Sequence, residues 1–377
     1  MIISVKKIIK EIIPPIFIRI SKTIFSSKIS KIPFEKWWGK YSVEHQPDPV
    51  LINMINCFVK TKTFENSSIY WNWLNKKNIQ QLNDNGFENF KQTIARNYFT
   101  WVGNMDSLYS KNLIHKNNHI SYEFSLNEIL RKHDNFTYDE SITFNIITAL
   151  LTNYVIKIGG EKYISQLEEP DDGNPPYLLY KEKRISQDLL NSIIEYISIS
   201  KGCNTANLNR IIEVGAGSWR TSFCMMKLLS NVKYIIVDIP PALYVSQTYL
   251  ANQFKNKSIF TFRPFSSFEK IKDEFLKSDI AFIMPDQLEL LPSKLTDLFL
   301  AIDCMHEMKK EQIDIFFNQV DRLSKFFYFK CWNETEVPFD KVVHNKDNYP
   351  TKNNWIEIFK KNCEVPSTYF ETFYKTE

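Results

Sequence analysis

The chain has 377 residues, 44% of them apolar, and a formal net charge of +4. That length suits two domains with a sizeable core, and the near balance of charge excludes a general nucleic-acid-binding role. The cysteines (Cys57, Cys203, Cys224, Cys304, Cys331 and Cys363) form no C-x-x-C pair and no zinc spacing. They read as reduced core thiols of a cytoplasmic protein.

Residues 1–32 form a first segment. It carries Lys6, Lys7, Lys10, Arg19, Lys22, Lys28 and Lys31 against a single acid, Glu11. Ile2, Val5, Ile9 and Ile12 recur at helical spacing opposite the first lysines, which predicts a basic amphipathic helix. Such a helix either lies peripherally on an anionic membrane surface, here the inner face, or docks on its own domain. The uncharged run from Ile12 to Ile18 is too short to span a bilayer. No small-residue cleavage site follows, which argues against a signal peptide.

Residues 33–180 lack any strand–glycine–helix rhythm and read as a mostly helical cap or substrate domain. Helical patterns cover Leu51 to Phe58, Ile69 to Leu74, Phe87 to Tyr98 and Ser141 to Ile158. The aromatics Trp37, Trp38, Trp71, Trp73, Tyr98 and Trp101 either stack on a ligand's apolar face or fill a core. The stretch Glu168 to Tyr177, with Gly173 and two prolines, is a loop. The segment after it, with Ser186 and Gln187, starts a helix leading into the first strand of residues 181–377.

That last region opens with RIIEVGAGSWR, residues 210–220. Ile211 and Ile212 predict a strand; Glu213, Gly215, Ala216 and Gly217 form a turn; a helical pattern follows from Phe223. Glycines let a chain turn sharply and approach a ligand closely. A dinucleotide fingerprint wants a small residue where Arg220 stands, which disfavours a nicotinamide cofactor. A second strand, Tyr234 to Val237, ends in Asp238 and Ile239. A carboxylate there either accepts hydrogen bonds from ribose hydroxyls or caps the helix that starts at Pro240-Pro241. A third strand, Ile280 to Met284, ends near Asp286 and Gln287, at an adenine edge or in a plain surface turn. A fourth, Leu298 to Ile302, is apolar enough to be a buried parallel strand and ends in Asp303-Cys304-Met305-His306-Glu307. A helix, the strand FFYFKCW, a helix around Trp355 to Phe359 and a last strand, TYFETFY, complete the pattern. Alternating strands and helices predict an α/β class: a doubly wound, Rossmann-like sheet preceded by a mostly helical domain. Ligands bind such sheets outside the carboxyl ends of the strands, where Glu213, Asp238, Asp286 and His306 all fall.

The E-x-G-x-G turn resembles motif I of class I methyltransferases that use S-adenosylmethionine. With YWNWLNKKNIQQLNDNGFENFKQTIARNYF, EEPDDGNPPYLLYKEKRISQDLLNS, KYIIVDIPPALYVSQ, PDQLELLP, LAIDCMHEM and YFKCW, the chain resembles a bacterial family of sugar O-methyltransferases from Tyr70 to Trp332. The resemblance implies methyl transfer from S-adenosylmethionine to a hydroxyl of a sugar or glycan acceptor, in surface-polysaccharide biosynthesis. The family turn is similar to E-x-G-x-G-x-G-R, and here Trp219 replaces the third glycine while Arg220 keeps its place. Trp219 either swings out or displaces the first helical turn. A non-catalytic homologue that binds without turnover is the alternative reading.

A sugar hydroxyl is a weak nucleophile at neutral pH, so transfer needs in-line positioning and proton removal. His306 is the only histidine at the expected catalytic edge and the first candidate for general base. Asp303 either orients its imidazole or acts as base itself; Glu307 does either or caps the next helix. Magnesium assistance by Asp303 and His306, with a second ligand among Glu334, Glu336 and Asp340, is compatible with the spacing but not favoured.

Overall fold

The computed structural model describes residues 48–97, 124–217, 219–229 and 231–376. The basic segment 1–32, Trp37, Trp38, Tyr98 and Trp101 lie outside them.

The chain starts as helices: α1 (Pro49–Phe58), α2 (Ile69–Asn85) and α3 (Tyr138–Lys157). Each has a reason to begin where it does. Asp48 accepts from the Val50 N–H ahead of α1, and Pro49 suits the first turn. Ser68 accepts from the Trp71 N–H of α2. Thr137 and Glu140 close a capping box on α3. The helix expected from Phe87 to Tyr98 is instead two short 3₁₀ turns, Phe87–Gln92 and Ala95–Asn97. Gly86, at φ 73°, ends α2 and redirects the chain.

A small hairpin, β1 (Leu178–Tyr180) and β2 (Lys183–Ile185), leads into α4 (Gln187–Gly202). Then come β3 (Arg210–Val214), α5 (Arg220–Leu228), β4 (Lys233–Val237), α6 (Ala242–Gln253), β5 (Ile259–Phe260), α7 (Lys272–Lys277), β6 (Ile280–Ile283), β7 (Thr296–Ile302), α8 (Lys310–Leu323) and β8 (Ser324–Trp332). A second hairpin, β9 (Glu334–Val337) and β10 (Val342–Asn345), precedes β11 (Ile356–Asn362) and β12 (Tyr369–Lys375).

The main sheet has the order β11-β12-β8-β7-β3-β4-β6-β5. Its ladders from β5 to β8 are parallel. β12 alone is reversed, pairing antiparallel with β8 and β11. The segment around Trp355 to Phe359 is therefore a strand, not the expected helix. Its β-branched Ile356 and Ile358 suit an extended edge, and pairing with β12 satisfies a backbone too short to form a stable helix alone.

The sheet is covered on both faces, so its fold is the doubly wound, Rossmann-like α/β architecture. On one face, residues of α4, α5 and α6 pack with Ile211, Tyr234 and Leu300 in a cluster that runs on to Leu51, Phe90 and Leu151 of the helical region. On the other, Phe275, Ile313, Phe316 and Phe317 pack against Ile212, Ile235, Phe299 and Phe327. β3 is buried on both faces, which explains its apolar Ile211, Ile212 and Val214. Chain order diverges on either side of β3, towards β4 and towards β7. The crevice between the ends of β3 and β7 is the switch point where such sheets bind ligands. No helix among the described residues is long and apolar enough to cross a membrane.

Candidate active site

A cleft of about 540 Å³, its open mouth included, lies at that switch point. It is lined by Trp71, Glu213, Gly215, Ala216, Gly217, Arg220, Thr221, Asp238, Ile302, Asp303, Cys304 and Glu307. The sequence candidates from β3, β4 and β7 thus converge on one space. Ile239, Asp286, Gln287 and His306 are not among the lining residues.

The glycine turn has two physical reasons for its glycines. Gly215 sits at φ +66°, and a Cβ there would come 2.5 Å from the Cβ of Cys304. Only a glycine lets the ends of β3 and β7 approach this closely. Cys304 uses the contact, its thiol donating to the Val214 carbonyl at 3.3 Å. Gly217, at φ 50°, donates its N–H to Asp238 Oδ2 at 2.8 Å. Asp238 also accepts from the Ile239 N–H at 2.7 Å. Burial pushes the Asp238 carboxyl up to about 6, against these two backbone donors. It is ionised at neutral pH, with lone pairs left for a ligand's hydroxyls.

Trp219 resolves the question its position raises. It takes the left-handed backbone (φ 56°, ψ 4°) that a glycine would adopt more readily. Its side chain is buried against Phe90 at 4.3 Å and Tyr249 at 5.0 Å between ring centroids. The indole therefore fills the seam between the helical region and the sheet. It is not among the residues that line the cleft, and α5 begins directly after it at Arg220.

Glu213 is buried, and its Oε2 accepts from the Tyr234 hydroxyl at 2.6 Å. Burial pushes its carboxyl up to about 8. Arg220 lines the cleft and is paired beneath it. Its guanidinium grips Glu195 with two bonds, at 2.6 and 2.9 Å, and Lys330 reaches the same carboxylate at 3.0 Å. Burial opposes charge on Glu195, yet Arg220 and Lys330 hold its carboxyl down at about 2. This cluster ties α4, α5 and β8 together beneath the cleft. Neither Glu195 nor Lys330 belongs to a recognised motif. The signal for both was a charge inside an apolar run, IIEYI and FFYFKCW, because a buried charge demands a partner.

The end of β7 supplies the reactive groups. Asp303 has a left-handed backbone, φ 58°, which aims a strand-end carboxyl into the cleft. Tyr369 hydrogen-bonds this carboxyl, but burial dominates and pushes it up to about 7. Its Oδ1 has no hydrogen-bond partner. Glu307, also in the cleft, is pushed far above the usual carboxylate range by burial and by Asp303 and Asp238. His306 lies behind them. Its Nε2 stands 3.7 Å from Asp303 Oδ1 and 3.9 Å from Glu307 Oε1, too long for hydrogen bonds. Its Nδ1 is buried without a partner, and burial, with His344 adding to it, pulls the ring down to about 3.

Other expected positions lie outside the cleft lining. Asp286 Oδ1 accepts from the Thr63 N–H at 3.2 Å. The Gln287 amide is spent at both ends, on the Met284 N–H at 2.9 Å and the Arg263 carbonyl at 2.9 Å. Ser186 caps α4 and donates to Glu169 at 2.5 Å. Asp340, a candidate metal ligand, accepts from the Ile69 N–H at 2.8 Å at the start of α2; Glu334 and Glu336 are exposed on β9. Among the described residues no group of three or more His, Cys, Asp or Glu is arranged to hold a metal ion.

No protein-family model matches the chain, and no curated protein does. Solved structures align with part of it. A protein of Pyrococcus horikoshii aligns with 15% identity over 50% of this chain and 91% of its own, at a TM-score of 0.36. The mitomycin 7-O-methyltransferase MmcR aligns with 8% identity over 49% of this chain and 56% of its own, at 0.34. A SAM-dependent methyltransferase of Aquifex aeolicus aligns with 12% identity over 50% and 92%, at 0.31.

Proposed function

We propose that the chain is an S-adenosylmethionine-dependent O-methyltransferase that acts on a sugar hydroxyl, with surface-glycan biosynthesis as its setting. The observation that carries this reading is the convergence of the glycine turn, Asp238 and the β7 carboxyls on one cleft at the switch point of the sheet. The donor set fits the cofactor. Asp238, ionised and with lone pairs to spare, faces the position where ribose hydroxyls are held in such folds; the turn beside it is open because Trp219 is directed into the core. That orientation speaks for the catalytic reading over a non-catalytic homologue.

When bound, the cofactor supplies a methyl group activated on a sulfonium sulfur. The protein's share is to hold the acceptor oxygen in line, exclude water and take its proton. We assign the proton to Asp303, which reaches the cleft, rather than to His306, which does not. A base that titrates near 7 matches a neutral working pH. His306 then lies behind the carboxyl without a hydrogen bond to it.

Calorimetry with S-adenosylhomocysteine and NAD, with tritiated-methyl transfer to extracted glycan, tests the reading. Binding of NAD alone overturns it. Asp303→Asn should keep S-adenosylhomocysteine binding and lose transfer by about 100- to 10,000-fold. The wild-type rate should rise with pH through about 7, as Asp303 ionises. If His306→Ala loses as much transfer while still binding cofactor, the base role returns to His306.

A further inference from the structure

Every residue lining the cleft comes from the segment 213–307 except Trp71. Trp71 belongs to the first turn of α2, an element of the helical region, and it brings a broad apolar ring to a cleft otherwise rich in carboxyls. Its indole Nε1 is buried and has no hydrogen-bond partner. A buried donor without an acceptor costs free energy that a ligand would recover.

The side from which Trp71 enters is fixed by packing. Asp340, between β9 and β10, accepts from the Ile69 and Tyr70 N–H groups at 2.8 and 3.4 Å and so holds the start of α2. Tyr70, Trp71, Trp73 and Leu74 pack with Val337, Phe339 and Val342 of the same hairpin. That hairpin follows β8, and β8 borders β7 on the side away from β4. β9 also packs against the turn that carries His306 and Glu307. Trp71 is therefore anchored on the flank of Asp303 and Glu307, with Asp238 and the glycine turn on the other flank. Two complementary groups on residues that line the cleft are buried without partners: an N–H donor on Trp71 and an acceptor, Oδ1, on Asp303.

From this juxtaposition we propose that Trp71 forms the acceptor wall of the cleft. The indole face covers a pyranose ring. Its N–H donates to one ring hydroxyl, while Asp303 receives the proton of the neighbouring hydroxyl that is methylated. The acceptor class is thus a sugar with two adjacent hydroxyls, and Asp340 with its hairpin positions the residue that reads the second one. This rests on the methyl-transfer reading above.

The test uses the full chain, S-adenosylhomocysteine for calorimetry, and tritiated-methyl S-adenosylmethionine with a sugar-nucleotide and glycan extract of the source cells as acceptor. Trp71→Phe keeps a ring and removes the N–H. It should raise the apparent KM for the extract about tenfold, the typical worth of one hydrogen bond, with a smaller change in kcat. Trp71→Leu removes the aromatic face as well and should raise KM about a hundredfold. Both should bind S-adenosylhomocysteine within about twofold of wild type, as expected of a group that contacts only the acceptor. A wild-type KM in Trp71→Phe overturns the subsite, as does loss of S-adenosylhomocysteine binding in Trp71→Phe that matches its rise in KM. Wild-type protein that binds no S-adenosylhomocysteine overturns the methyl-transfer reading itself. Wild-type protein that binds it but labels nothing in the extract overturns the sugar acceptor, and the subsite with it.

Discussion

Trp219 shows how one side chain can both strain and stabilise a fold. The left-handed backbone costs a residue with a Cβ about 1–2 kcal/mol. Against that, the buried indole packs on Phe90 and Tyr249, and truncating a buried tryptophan costs about 3–5 kcal/mol. Packing outweighs strain, so Trp219→Gly, which relieves the backbone but empties the seam, should still destabilise the protein. The expected loss is about 1–4 kcal/mol after the strain is returned, read as a lower urea midpoint. S-adenosylhomocysteine affinity of the folded variant should change little, because the indole lies outside the cleft. A variant as stable as wild type would mean that the Phe90–Trp219–Tyr249 contacts contribute nothing net. From sequence the position was legible as an anomaly, a large residue where a glycine is usual. Its direction was not, because Phe90 is far away in the chain and no local pattern announces the contact.

At the scale of elements, α4, α5 and β8 meet through charge rather than through apolar packing alone. Glu195, Arg220 and Lys330 come from three segments and are all buried. Burying such charges is costly, and removing one partner leaves the others uncompensated. Glu195→Gln should therefore destabilise by about 3–5 kcal/mol, and Glu195→Gln combined with Lys330→Met by less than the sum of the two single changes. Denaturant melts of the single and double variants measure this; strict additivity would show that the cluster does not act as a unit. The sheet strands were readable from their apolar runs, and their ends therefore located Glu213, Asp238 and Asp303. The elements missed were those whose stability is tertiary. The two-residue β5 and the β9–β10 hairpin have no period long enough to read, and β11 is a strand because β12 lies beside it. The hairpin is what brings Asp340 to α2, so the entry of Trp71 into the cleft was hidden along with it.

Over the whole molecule, burial raises a set of carboxyls, most of them in the cleft, above their ordinary range. Glu213 is raised to about 8, Asp303 to about 7, and Asp238 and Asp188 to about 6; Glu307 is raised well above the usual carboxylate range too. The folded state holds protons on these groups that the unfolded chain would release. Their stabilisation is complete below the ordinary carboxylate pKa and is lost as pH rises through the raised values. The buried histidines act in the opposite sense. His133, His306 and His344 are lowered by burial, so they penalise the folded state as pH falls below their ordinary value of 6.5, and above it they contribute no further change. Glu195, held at about 2, is ionised in both states there. Between about pH 6.5 and 8.5 the carboxyls of Glu213, Asp303 and Glu307 therefore dominate, and the melting temperature should fall across this window. Glu213→Gln, which cannot ionise, should flatten the fall while keeping one acceptor for Tyr234. Differential scanning calorimetry of the two proteins decides the matter. A wild-type melting temperature that is level or rising between those pH values would mean that water or a counter-charge reaches these carboxyls and that they ionise at ordinary pH. In that case Asp303 would already be deprotonated well below neutrality, and the rise of transfer rate through pH 7 would have to come from another group.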